Sequence, residues 1–148
     1  MDSYLRSWLL FVRWLVEVAP SERAFLEGFF LDIYTARAHN EGMVDQIIEE
    51  VLAFPHKQST EDLQAFLDAF LVDHDTTDRL PEIAAPTLVI AGGRDPTSRP
   101  KRCRAVADLI PDAQFEVMEE EAHQPFQEVP DEWNARVDAF WREIEGRG

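Results

Sequence analysis

Residues Pro86-Thr87-Leu88-Val89-Ile90-Ala91-Gly92 form a continuous apolar run with β-branched members. A strand covered on both faces reads this way, as in parallel sheets; a strand with one wet face alternates instead. The run therefore demands helical layers above and below it. A turn follows at Gly93-Arg94-Asp95-Pro96, then a helix from Pro100 to Leu109 with Cys103, Val106, Ala107 and Ile110 facing inward. Pro111-Asp112-Ala113 turns into a second strand, Gln114 to Met118, and Glu119 to His123 is a loop. Pro130 opens a terminal helix with Trp133, Val137, Phe140, Trp141 and Ile144 on its buried side. The βαβα order predicts a parallel pair with a right-handed crossover, and the fold class is α/β. Two strands do not make a stable sheet. This half of the chain reads as the rim of a larger one.

Residues 1 to 75 carry helical patterns and no strand signal. Trp8, Phe11, Val12, Leu15 and Val16 recur at helical spacing and end at Ala19-Pro20. A second helix is predicted from Glu22 to about Ala38, with Phe25, Leu26, Phe29, Phe30 and Ile33 on a broad apolar face and Asn40-Glu41-Gly42 closing it. A third runs from Met43 to about Phe54. It carries Val44, Ile47, Ile48, Val51 and Leu52 and stops before Pro55. A fourth starts at Ser59-Thr60-Glu61-Asp62, where a hydroxyl caps the exposed amides and the acids favour the positive helix end. Leu63, Phe66, Leu67, Phe70 and Leu71 supply its stripe. Stripes this wide exceed what four helices offer one another. They describe a layer built to sit over something, which divides the chain into residues 1–77 and 78–148.

Charge narrows the function. Asp and Glu number 29 against 14 Lys and Arg, a formal net charge of -15. That field repels phosphate backbones and anionic lipid, so nucleic-acid and membrane-surface partners are not expected. Trp8 to Trp14, WLLFVRW, is too short and too interrupted to span a bilayer, which takes about 20 apolar residues. Cys103 is the only cysteine, which excludes an internal disulfide and fits a reducing, cytoplasmic compartment.

Ligands in open α/β sheets gather at the carboxyl ends of the strands. Asp95 lies just past the end of the first strand and His123 just past the end of the second. An acid oriented onto a histidine is the base half of a nucleophilic triad: the carboxylate fixes the tautomer and the ring takes the proton. Three other features offer less. Ser98 is a helix-start residue before Pro100, and Cys103 is a packed thiol on a helix face. Glu119-Glu120-Glu121 lacks a second histidine at ligand spacing and reads as a solvated loop, so no metal is expected. His39, His56 and His74 stand alone as surface or cap residues.

Residues 80–96, Ile110-Pro111-Asp112-Ala113, Ala122-His123, Glu128-Val129-Pro130 and Val137-Asp138-Ala139-Phe140-Trp141 together resemble the C-terminal part of an α/β-hydrolase. The resemblance implies that Asp95 is the triad acid, His123 the triad base, and residues 1–77 the helical cap. It implies no cofactor. Ala122 stands where the family usually has glycine. A larger departure is the nucleophile, which the family carries in G-x-S-x-G upstream of the cap. The serines here are at 3, 7, 21, 59 and 98, and none has that setting. The oxyanion loop is upstream as well. The expected architecture is thus a partial α/β-hydrolase fold lacking the N-terminal strands, and the isolated chain is expected to be inactive. Three accounts follow. A second chain supplies the N-terminal core and nucleophile for hydrolysis of a small ester, lactone or related substrate. Alternatively, a truncated hydrolase self-associates, or the chain is a non-catalytic binding or assembly protein of hydrolase descent.

Overall fold

The computed structural model describes residues 3–72 and 75–147. His74 lies outside the described residues. The chain divides into two compact units, residues 1–75 and 76–148.

The first unit is helical. Helix α1 spans Ser3–Val18, α2 Glu22–Phe30, α3 Ala36–Asn40, α4 Met43–Ala53 and α5 Thr60–Leu71. Leu26, Phe30, Ile33, Tyr34, Ala38, Val44 and Ile48 are buried together. Leu9, Val12 and Leu67 form a second buried cluster that joins α1 to α5. Across the rim of that helix pair, the Arg13 guanidinium reaches Asp68 at 2.6 Å and Glu17 at 2.8 Å.

The helix expected from Glu22 to Ala38 is two helices. After Phe30 the chain turns through Leu31–Tyr34, which drives Ile33 and Tyr34 into the core. Thr35 is then extended, and its hydroxyl accepts the Ala38 amide at 3.2 Å, starting α3. Threonine competes for backbone donors in this way at helix starts. Gly42 supplies the left-handed residue (φ 78°) between α3 and α4. Ser59 and Asp62 form a reciprocal capping box at the start of α5.

The broad stripes are only partly covered. Phe11, Phe66 and Phe70 were expected on buried faces and are exposed, as is Trp14 at 54%. The helix pairs in this unit have too little facing surface to cover faces so wide. Phe66 and Phe70 instead pack edge-on against each other, with ring centroids 4.8 Å apart. His56 is exposed beside Phe54, and His39 is half-buried.

The second unit opens with a 3-10 helix, Thr77–Glu82, that the sequence pattern did not announce. Strand β1 (Thr87–Gly92) pairs in parallel with β2 (Ala113–Met118), from Thr87↔Ala113 to Gly92↔Met118. Helix α6 (Pro100–Ala107) connects them, and a short α7 (Pro125–Glu128) precedes α8 (Pro130–Gly146). Successive strand residues point to opposite faces. Accordingly, Arg104 of α6 lies over the Phe115 ring, 4.3 Å from its centroid. Glu116, one residue on, meets Arg136 of α8 at 2.7 Å, and Gln114 meets Glu143 at 2.9 Å.

Among the described residues the sheet has two strands. Thr87–Ile90 of β1 are half-buried, and only Ala91 and Gly92 are fully enclosed. The expectation of full cover along the run therefore holds only at its carboxyl end. Val106 and Trp141, expected inside, are exposed for the same reason: α6 and α8 have only two strands to lie on. No helix among the described residues is long and apolar enough to cross a membrane.

Candidate active site

The carboxyl ends of the two strands are drawn together by backbone. The Gly93 amide donates to the Met118 carbonyl at 2.8 Å and the Arg94 amide to the Glu121 carbonyl at 2.9 Å. The 119–122 loop thereby crosses directly over Gly92 and Gly93. A Cβ on Gly92 would lie 1.9 Å from the Ala122 carbonyl oxygen, and one on Gly93 would lie 2.5 Å from that of Glu119. Only glycine admits so close a crossing. Arg94 also pairs with Glu120 across it. Ala122, the residue standing in place of glycine, is buried at 3% exposure, so the loop accommodates its methyl.

This crossing delivers His123 to Asp95. Nδ1 of His123 lies 2.7 Å from Oδ2 of Asp95. The other carboxylate oxygen, Oδ1, accepts the Thr97 amide at 2.8 Å, the Ser98 amide at 2.9 Å and the Thr97 hydroxyl at 2.8 Å. Asp95 is 5% exposed and Thr97 4%. Burial pushes the Asp95 carboxyl upward, but the hydrogen bonds from His123, the Ser98 amide and Thr97 outweigh it and hold it below the ordinary 3.8. The site thus contains a buried carboxylate, ionised at neutral pH. A nitrogen held against a carboxylate carries a proton, so in the neutral ring Nε2 bears the lone pair. The ring is about a third exposed, at 35%. The arrangement can take a proton at Nε2 and stabilise the resulting imidazolium.

The neighbouring groups serve this carboxylate loop. Cys103 donates its thiol to the Ser98 carbonyl at 3.3 Å, and burial raises its pKa, so it is a packed thiol. Among the described residues no serine hydroxyl is hydrogen-bonded to the His123 ring; the hydroxyl that meets it is that of Thr97, 3.2 Å from Nδ1. No group of three His, Cys, Asp or Glu side chains among the described residues is disposed to hold a metal. The sequence reading missed Thr97 and the Gly92-Gly93 crossing. The signals were present as a hydroxyl two residues after an aspartate and a doubled glycine at a strand end.

The helical unit has its own groove, about 810 Å³, lined by Phe25, Leu26, Val51, Phe54 and Leu63 among others. Lys57 at its edge donates to Glu22 and to the carbonyls of Val51 and Leu52, which occupies its ammonium internally.

No protein-family model matches the chain, and a search of curated proteins finds no match. Solved structures do. A thermophilic esterase from Thermogutta terrifontis superposes with a TM-score of 0.74 at 23% identity, covering 97% of this chain and 52% of that one. An α/β hydrolase from a Medee basin deep-sea metagenome library gives 0.77 at 20% identity, covering 95% and 51%. An esterase from Exiguobacterium antarcticum gives 0.71 at 21%, covering 89% and 47%. The chain spans about half the length of these structures. It has a partial α/β-hydrolase fold, in which a helical cap region is followed by a two-stranded part of the core.

Proposed function

We propose that Asp95 and His123 are the acid and base of a serine-type hydrolase acting on an ester, lactone or related carbonyl substrate. The nucleophile is supplied on a further polypeptide segment that completes the sheet. The observation that carries this reading is the 2.7 Å contact between His123 Nδ1 and a buried, ionised Asp95, at the carboxyl ends of parallel strands. Serine would attack the carbonyl carbon as Nε2 of His123 takes its proton. Asp95 would stabilise the imidazolium without itself being protonated. The ring would return the proton to the departing alkoxide, leaving an acyl-enzyme. Water, deprotonated by the same Nε2, would then attack the acyl carbon, and the ring would pass that proton to the departing serine oxygen, releasing the acid and restoring the serine.

The test begins with untagged protein purified from its own host and native mass spectrometry. A complex with a second, different chain that reacts with a fluorophosphonate and cleaves p-nitrophenyl butyrate is the expected result. His123→Ala should then lower turnover by at least about 10²-fold. A bare 17.0 kDa chain or a homodimer of it with no further segment, or a complex whose hydrolysis survives that substitution, would overturn the proposal.

A further inference from the structure

We infer that Thr97 is a positioning residue for the Asp95–His123 pair, holding the imidazole in the tautomer that leaves Nε2 basic; the inference rests on the reading of that pair as acid and base. Thr97 touches both members. Its Oγ1 lies 2.8 Å from Asp95 Oδ1 and 3.2 Å from His123 Nδ1, and the residue is 4% exposed. A hydroxyl has one proton to give and lone pairs to receive with. Asp95 Oδ1 is an acceptor and takes that proton. The Thr97 oxygen therefore faces Nδ1 with a lone pair, and Asp95 Oδ2 faces the same nitrogen with another, at 2.7 Å.

Two acceptors converging on Nδ1 are satisfied together by a shared N–H. The opposite tautomer would set the Nδ1 lone pair against both of them. Thr97 would escape only by withdrawing its proton from Oδ1, leaving that buried oxygen with the two amides of Thr97 and Ser98. The threonine thus makes the choice of tautomer cooperative with the anchoring of the carboxylate. It also fixes the ring against rotation about its bond to Asp95, because a second contact point lies off that axis. The amide of the same residue binds Oδ1, so the hydroxyl is placed by the turn that holds the acid.

The test is nitrogen and proton NMR of the full chain with labelled histidine, comparing the wild type with Thr97→Val and Thr97→Ser. Valine keeps the shape and removes the hydroxyl; serine restores it. The expected result is a slowly exchanging Nδ1 proton and a single tautomer in the wild type. The contact to Asp95 Oδ2 persists in both variants. Thr97→Val should therefore keep that tautomer as the major one but exchange its Nδ1 proton at least about tenfold faster and show some of the second tautomer. Thr97→Ser should return both readouts to wild type, with the amide spectrum of all three otherwise folded. A Thr97→Val chain whose Nδ1 proton exchanges at the wild-type rate and whose tautomer stays single would overturn the inference. So would a Thr97→Ser chain that behaves as Thr97→Val does, since a lost fit rather than a lost hydroxyl would then explain both. None of these readouts needs turnover, so a failure here is distinct from a failure of the hydrolase proposal.

Discussion

At the scale of single residues, the site depends on two loops crossing at a glycine. Gly92→Ala sets a methyl carbon into the Ala122 carbonyl, which is backbone and has no flexible end to yield. The crossing must open, and we expect a destabilisation of about 3 kcal/mol, in the upper part of the range for overpacked interiors. Denaturant unfolding measures it, and a midpoint equal to the wild type would refute the argument. Asp95 carries a second consequence. Its folded pKa lies below the ordinary 3.8, so the stabilisation its ionised form provides is complete above that value. It is lost as the pH falls through the lower, folded value. Thermal unfolding at neutral pH and near pH 3 should therefore show a smaller acid-side fall in Asp95→Asn than in the wild type. An equal fall would place the acid sensitivity in other carboxylates. Asp95 and His123 were legible in the sequence because strand ends in α/β proteins announce where ligands gather. Thr97 was not, because its second contact comes from a residue 26 positions away and exists only once the loops have met.

At the scale of elements, local chemistry decides most boundaries. The start of α5 was legible as a cap by Ser59 or Thr60, and the structure makes it a reciprocal box on Ser59: Ser59 accepts the Asp62 amide at 3.0 Å, and Asp62 accepts the Ser59 amide at 3.4 Å. Ser59→Ala should cost about 1 kcal/mol, the usual value for a lost N-cap. For a chain of this length that lowers the melting temperature by about 2–4 °C. Differential scanning calorimetry on that variant and on Ser21→Ala, which removes the equivalent cap of α2, would check it; no shift in either would show that the caps are satisfied by water. The parallel strands, α1, α4, α5 and α8 were similarly legible, since period and punctuation agree. The break between α2 and α3 was hidden by periodicity. Ile33 continues the apolar spacing of Phe25, Leu26, Phe29 and Phe30, yet it enters the core from a turn rather than from a helix. A hydrophobic pattern records which residues are buried and not which backbone carries them inside.

At the scale of the whole molecule, apolar surface and charge act in opposite directions. On α1, Leu10, Phe11, Trp14 and Val18 are 43%, 44%, 54% and 48% exposed. Their spacing sets them side by side along one helix face. An apolar face of that kind gains free energy by leaving water, and a second copy of the chain is an available cover. Each copy also carries a net charge of -15, so approach is opposed by like-charge repulsion. The range of that repulsion depends on salt. The screening length is about 30 Å at 0.01 M and about 8 Å at 0.15 M, whereas apolar burial is scarcely weakened over the same interval. The purified chain should therefore sediment as a monomer at the lower ionic strength and associate at the higher one. Replacing the two aromatic members, Phe11→Ser with Trp14→Ser, should keep it monomeric in both, and the exposure of those side chains makes the double variant unlike a core substitution. Association unchanged in the double variant would move the contact away from α1, for instance to the unpaired edges of β1 and β2. A chain that stays monomeric at both salt concentrations would show that repulsion outweighs the apolar face even when screened. Salt dependence of the opposite sign, with association strongest at low ionic strength, would mean that the contact is made by ion pairs and that the apolar face plays no part.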